Sequence, residues 1–447
     1  MNFRESHDVA ANSYHRFKED VAKAKELKLN LYRFSISWAR LLPTSNPSEV
    51  NPEGRQFYHD LIKEIKDNGM TPMVTLYHFD HPQSLQDEFF GWESDKMIEK
   101  FVAYADYVFK EYGNEVSLWT TINEPNQYCM YFNMLFALSG LVKASDVNIH
   151  RCMHNTILAH SKAYRLYQRE YYPSQKGRVG ATALLIHAEP QTASQQDIYA
   201  ADAFNQLHCG QVLHPVVYGD YPDLVKKLTP SDQFIPFTPE EKAELEGSTD
   251  FIALNIYDGV KTEYSSTGYA SRDNVPPVYD QLLENLPFVK FDKDGTALMV
   301  FDKISPEIMT RSLLWTWSQY GLPIVITENG YSGAGLQDHD RAAYFSVNLR
   351  NLVSTIRDYG VKVWVYCAWS LIDAFEWSAG FNRPFGLVYV DYKSGSLDRT
   401  LKQSSEFFIK LANSRKVPYV APSTSATTVS SLISVFLPIV LLKISWE

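Results

Sequence analysis

The chain has 447 residues, of which 45% are apolar and 21% charged, so it is a globular chain with material for a large core. Its net charge of −10, with no basic stripe or cluster, argues against a nucleic acid as partner. The four cysteines (Cys129, Cys152, Cys209 and Cys367) show no CxxC spacing and the twelve histidines form no HExxH pair. That pattern supports neither a zinc site nor a disulfide framework, and the absence of GxGxxG and GxxxxGK[ST] sequences excludes the common nucleotide-binding loops. The expectation is therefore no metal and no cofactor. Aromatic residues reach 14%, which suits stacking on flat ligands or sugar rings but equally suits a large core.

Taken in order, the chain alternates helical and strand patterns. Ser13 is placed to cap a helix whose apolar positions Phe17, Val21, Ala24 and Leu27 recur at threes and fours. A β-run, Leu31 to Ser37, follows. Tyr58, Leu61, Ile62 and Ile65 line the next helix, which stops at Asn68-Gly69, and Thr71 to Tyr77 reads as a strand. Phe101, Val102, Ala105 and Val108 mark a helix that ends at Tyr112-Gly113 before a strand from Leu118 to Ile122. Arg178 to Leu185 and Phe251 to Asn255 are further strands. The helices that end at Tyr320-Gly321 and Tyr359-Gly360 feed strands near Ile326 and over Val361 to Ala368. Helix, glycine stop and buried strand repeat as in a parallel α/β fold.

This reading gives seven strands, near residues 31, 73, 120, 180, 252, 324 and 364. Polar or aromatic residues follow almost every one: Arg33, His78, Glu124, Tyr257, Glu328 and Trp369. Spread over so many strand ends, they favour a (β/α)8 barrel, whose active site lies at the carboxyl ends of its strands, over a doubly wound sheet with one switch point. Glu124 and Glu328 each end a strand, as a pair of acids facing each other across a site would. Taken alone, two helix-capping acids explain that pattern equally well.

Six segments in order, Tyr32-Arg33-Phe34-Ser35-Ile36-Ser37-Trp38, Thr75-Leu76-Tyr77-His78-Phe79-Asp80, Asn123-Glu124-Pro125, Asn255-Ile256-Tyr257, Thr327-Glu328-Asn329-Gly330 and Trp369-Ser370-Leu371 through Glu376-Trp377, closely resemble the family 1 glycoside hydrolases, the β-glucosidase, lactase and myrosinase group. The resemblance runs from about Asp8 to about Leu411. It implies a TIM-barrel glycosidase domain over residues 1–415 and retaining hydrolysis of O-linked β-glucosides or β-galactosides through a covalent glycosyl-enzyme. By this resemblance Glu328 is the nucleophile and Glu124 the acid/base, their carboxyl groups about 5–5.5 Å apart. Carboxylates that close cannot both be charged cheaply, so Glu124 is expected to titrate high while Glu328 carries the charge.

The same resemblance makes Arg33 and Tyr257 the residues that hold the nucleophile, and Asn123 the partner of the sugar 2-hydroxyl. His78, Glu376 and Trp377 grip the sugar, Trp369 is the floor under its ring, and Phe385 lies near its C6. Glu376 favours an unphosphorylated glycone, because members acting on 6-phosphorylated sugars replace this acid. Without the register of the other motifs, His78, Tyr257, Trp369 and Arg33 would each be read as core or surface residues.

The pattern departs from the family in three places. The first barrel strand, with the Gln that binds the glycone, has no counterpart, so strands near Arg33 and Val363 should be left with open edges. Phe79 and His81 stand where Trp and Leu are usual, and Pro384 where Arg is common. Residues 416–447 form a tail in which an apolar run from Leu432 to Leu442 follows Ser423-Thr424-Ser425-Ala426. That run is too short to span a bilayer, but the arrangement is similar to a GPI-anchor signal, the one route to a membrane suggested here; a disordered tail or a packing strand explains it as well. The compartment is extracellular or cell-surface if a longer parent carries a secretory signal, and cytoplasmic otherwise; no N-x-[ST] acceptor is present. Two rival readings are a catalytically impaired member used for binding, suggested by the missing strand, and a thioglucosidase, which the presence of Glu124 disfavours. Aglycone preference would reside in loops such as Asp258 to Asp302.

Overall fold

The computed structural model describes residues 9–132, 148–264, 289–290 and 304–423. Helix α1 (Ser13–Glu26) buries Val21 and Ala24, and Leu27 just beyond its end, as the spacing requires. Ser13 is not its cap. Asn12 occupies that position in a left-handed conformation (φ 54°) with no side-chain capping bond, because a tight turn from Val9 delivers the chain there. Strand β1 (Leu31–Ser35) follows, then α2 (Pro52–Asp67), whose cap Asn51 accepts from the Glu53 amide at 3.1 Å. Strand β2 (Thr71–Tyr77), α3 (Lys96–Tyr112), β3 (Leu118–Ile122), α4 (Ile149–Leu166), β4 (Arg178–Leu184) and β5 (Ile252–Asn255) continue the alternation. Helix α5 (Ile308–Tyr320) leads to β6 (Ile324–Glu328), and α6 (His339–Tyr359) leads to β7 (Val363–Tyr366), before α7 (Ser405–Ser414). Gly321 and Gly360 end α5 and α6 at φ 62° and 68°, where a Cβ would be strained.

The seven strands form one curled sheet in chain order, β1 to β7, every pair parallel. This is an incomplete (β/α)8 barrel. Strands β3, β5 and β6 are buried at every residue, whereas every residue of β1 is only half-buried, as are the last three of β7. Among the described residues nothing pairs with the outer edges of β1 and β7, as the sequence led us to expect.

One expectation fails outright. Cys129 and Cys152 form a disulfide, Cα atoms 5.6 Å apart, that joins the stretch just after β3 to the first turn of α4. Their separation of 23 residues matches no motif; only the fold brings them together. Cys209 and Cys367 are free thiols. Residues 416–423 pack along α6: Ser346 Oγ donates to the Pro418 carbonyl at 2.8 Å and Ser423 Oγ to Asp340 at 2.8 Å. The apolar run Leu432 to Leu442, and with it the anchor expectation, lies outside the described residues, as does most of the Asp258 to Asp302 loop. No helix among the described residues is long and apolar enough to cross a membrane.

Candidate active site

Parallel strands present their carboxyl ends on one face, and the acids gather there. Glu328, the last residue of β6, is held at both oxygens. Arg33 Nη1, from β1, donates to Oε1 at 2.8 Å, and the Tyr257 hydroxyl, two residues past β5, donates to Oε2 at 2.7 Å. The side chains of Arg33 and Glu328 are almost wholly withdrawn from water, so this is a buried charge pair with its hydrogen-bonding largely satisfied.

Glu124 lies two residues past β3 in a left-handed conformation (φ 38°), uncommon for a non-glycine residue and a form of strain that collects at functional sites. Pro125 follows at the first position of a short helix. Asn255, the last residue of β5, donates to Glu124 Oε1 at 2.6 Å and to Asn123 Oδ1 at 3.2 Å, and its own oxygen accepts from the Thr327 hydroxyl at 2.5 Å. One amide therefore braces the β3 end against the β6 end. Burial first, and then the nearby charge of Glu328, push the Glu124 carboxyl up to about 8. Near neutral pH the Glu124 carboxyl is therefore favoured in its protonated form.

Asn123 links the two halves. Its oxygen accepts from Arg33 Nη2 at 2.9 Å and its Nδ2 lies 3.2 Å from His78 Nε2. Burial, and secondarily Arg33, depress His78 to about 3, so the ring is neutral. His78 lies near-parallel to both Trp369 and Trp377, at centroid distances of 6.1 and 5.8 Å, and Phe79 meets Trp377 at 5.1 Å. These rings make an aromatic wall beside the acids. Glu376 is pushed up to about 8, by burial and then by Glu328. Phe385 is buried edge-on to Tyr257, centroids 5.9 Å apart. Gly330 is required by close approach: a Cβ there would collide with the Trp369 carbonyl.

Of the ten residues selected from the sequence, His78, Asn123, Glu124, Tyr257, Glu328, Trp369, Glu376, Trp377 and Phe385 lie at strand ends or in the loops after them, and Arg33 lies in the middle of β1. Asn255 was quoted within a motif without a role. Its place as the last residue of a strand, two before Tyr257, was the available signal. At the departures from the family pattern, His81 Nδ1 takes the Tyr77 hydroxyl at 2.9 Å and the Pro384 carbonyl accepts from Arg341 at 2.8 Å. Among the described residues no group of three or more His, Cys, Asp and Glu side chains is arranged to hold a metal ion.

Comparison with known proteins identifies the family. The model of glycosyl hydrolase family 1 matches residues 2–417. β-Glucosidase 22 of rice (Oryza sativa subsp. japonica) is 36% identical over 90% of this chain and 78% of its own length. Myrosinase 1 of the aphid Brevicoryne brassicae is 33% identical over 92% of this chain and 89% of its own. Among solved structures, a rice β-glucosidase superposes with a TM-score of 0.83 at 31% identity, covering 91% of this chain and 89% of that one. An aphid myrosinase gives 0.81 at 32%, covering 91% and 88%. With the family's span, the barrel and these relatives in agreement, the chain belongs to glycosyl hydrolase family 1 and is a β-glucosidase-like O-glycosyl hydrolase.

Proposed function

We propose that the chain is a retaining β-glycosidase acting on O-linked β-glucosides or β-galactosides, with Glu328 as nucleophile and Glu124 as acid/base. The observation that carries this reading is the asymmetry of the two acids: Glu328 is gripped by a cation and a phenol, while Glu124 is pushed up to about 8. In the first step Glu328 attacks the anomeric carbon, the glycosidic C–O bond breaks, and Glu124 gives its proton to the leaving oxygen. In the second, Glu124 takes a proton from water as the water oxygen bonds to the anomeric carbon, and Glu328 departs as carboxylate. Two inversions give net retention.

Asn123 keeps a donor for the 2-hydroxyl, a contact that strengthens as the ring flattens toward the oxocarbenium ion. Trp369, Trp377 and neutral His78 border the sugar, and Glu376 meets the hydroxyls of an unphosphorylated glycone. A solved rice β-glucosidase, a Glu-to-Gln mutant 30% identical to this chain, holds glucose covalently, which supports a glycosyl-enzyme here. The test is hydrolysis of a chromogenic β-glucoside by the wild type and by Glu328→Ala. Activity lost on substitution and partly restored by azide is expected; well-folded wild type without turnover would overturn the reading in favour of a binding role. A thioglucoside run in parallel separates the myrosinase-type activity, which Glu124 makes unnecessary to invoke.

A further inference from the structure

Glu328 depends on the phenol of Tyr257, and Tyr257 must itself be held at the right distance. The bond that does so comes from outside the sheet. Tyr344, in the second turn of α6 and buried, donates its hydroxyl to the Tyr257 main-chain carbonyl at 2.7 Å. The Tyr344 hydroxyl oxygen in turn accepts from Asn329 Nδ2 at 2.8 Å, and Asn329 is the residue directly after Glu328. Asn329 Nδ2 also donates to the Ile256 carbonyl at 2.7 Å, and its oxygen accepts from the Tyr366 hydroxyl at 2.6 Å. A single hydroxyl thus joins the chain that carries the acid to the chain that carries its phenol partner.

The start of α6 is a firm base for that hydroxyl. One turn earlier, buried Arg341 donates to the Tyr331, Gly333 and Pro384 carbonyls at 2.9, 2.6 and 2.8 Å and pairs with Asp338. Asp338 in turn accepts from the amide and hydroxyl of Ser404, both at 2.7 Å. The loop after Glu328, the segment before Phe385 and the helix therefore form one buried polar network, of the kind that fixes geometry only when all its members are satisfied.

We infer that Tyr344 is a positioning residue for the nucleophile: its hydroxyl sets the Tyr257 backbone against the Glu328 strand end and so keeps the phenol on the carboxylate. The inference rests on the reading of Glu328 as nucleophile. Removing the hydroxyl leaves the ring and its contact with Tyr331, centroids 5.6 Å apart, but takes away one hydrogen bond that seats the Tyr257 backbone. A carboxylate that loses one of two donors is easier to protonate, so the acidic limb of the pH profile should rise. The charged and titratable groups facing Glu328 are Arg33 from β1, Glu124 beyond β3, Tyr257 beyond β5, and Cys367 and Glu376 beyond β7. Tyr344→Phe deletes none of these groups and acts only through the seating of Tyr257.

The experiment compares kcat/KM against pH on a nitrophenyl β-glucoside, with melting temperatures, for wild type, Tyr344→Phe and Tyr112→Phe. Tyr112 is the matched control: its buried ring also bonds a main-chain carbonyl, that of Arg55 at 3.1 Å, but on the outer helices. Tyr344→Phe should lose roughly tenfold to a hundredfold in kcat/KM, with its acidic limb moved to higher pH, the scale expected for a slightly misplaced reacting group. Tyr112→Phe should stay within about twofold with an unmoved profile, because it deletes a comparable bond without touching Glu328. Active wild type with an unmoved acidic limb in Tyr344→Phe overturns this inference alone. Equal losses in the two variants overturn it as well, since they mark general softening. Folded but inert wild type sinks the functional reading and this inference together.

Discussion

The strand ends of β3, β5 and β6 and the seam between β1 and β7 are made of the same kind of chain, yet they are secured very differently. At β3, β5 and β6 each strand has a neighbour on both sides, every residue is buried, and Asn255 ties the ends together. At the seam each strand has one described neighbour, and its residues are only half-buried apart from Val363. Arg33 nevertheless sits on the weak side and holds an acid from the strong side. The geometry of the proposed site is thus carried by side chains that reach across the strand ends as well as by the ladder beneath them. The ladder sets where a residue begins; the cross-bonds set where its charge ends.

The largest effect expected from breaking that arrangement is at Arg33. Arg33→Met strands a buried carboxylate, and should lower kcat by on the order of a thousandfold and stability by about 3–5 kcal/mol, read by steady-state kinetics and urea melts. Unchanged activity would show that the seam side contributes nothing to the site. On the secure side, Glu124→Gln should cost roughly a hundredfold or more on alkyl glucosides and much less on dinitrophenyl glucosides, whose leaving group needs no proton. With Glu124 pushed up to about 8, wild-type kcat/KM should fall as pH rises through that value, because the acid is then lost; the limb should vanish in Glu124→Gln.

Packing sharpens the contrast further. Ile326, fully buried in β6, should cost about 4 kcal/mol when changed to Ala, whereas half-buried Leu31→Ala in β1 should cost about 1 kcal/mol. Equal costs would mean that the seam is covered in solution. The smallest effect on activity is expected at the disulfide: Cys152→Ser should remove about 3 kcal/mol of stability, as expected for opening a loop of this length, with kcat on nitrophenyl glucosides nearly unchanged. Thermal melts under oxidising and reducing conditions would check it.

Much of this was legible in the chain because the signals are local. Thr71 to Tyr77 and Leu118 to Ile122 form as read, since an apolar β-branched run after a glycine stop has few alternatives. Glu124 and Glu328 could be picked out by their place at strand ends and by the motifs around them. Ser13 misled because a good capping residue lost to the turn that delivers the chain one position earlier. The Cys129–Cys152 bond was invisible because a disulfide is a statement about space, and the spacing of these two residues carries no pattern. Asn255 and Tyr344 were missed for a related reason: an asparagine and a tyrosine are common in any core, and their partners come from other strands.

The amino-acid order by itself determined the alternation of helices and strands, the end of the sheet on which polar residues collect, and the two acids proposed to carry the chemistry. Hydrophobic period and strand-end position are properties of neighbours along the chain. The family resemblance names Arg33 and Tyr257 as partners of Glu328, but only the tertiary structure brings them onto its two oxygens, from the open side in the case of Arg33, and buries Glu124 deeply enough to lift it. Those outcomes depend on distance and burial between residues up to 295 positions apart, and coulombic and desolvation energies exist only once the chain has closed around them.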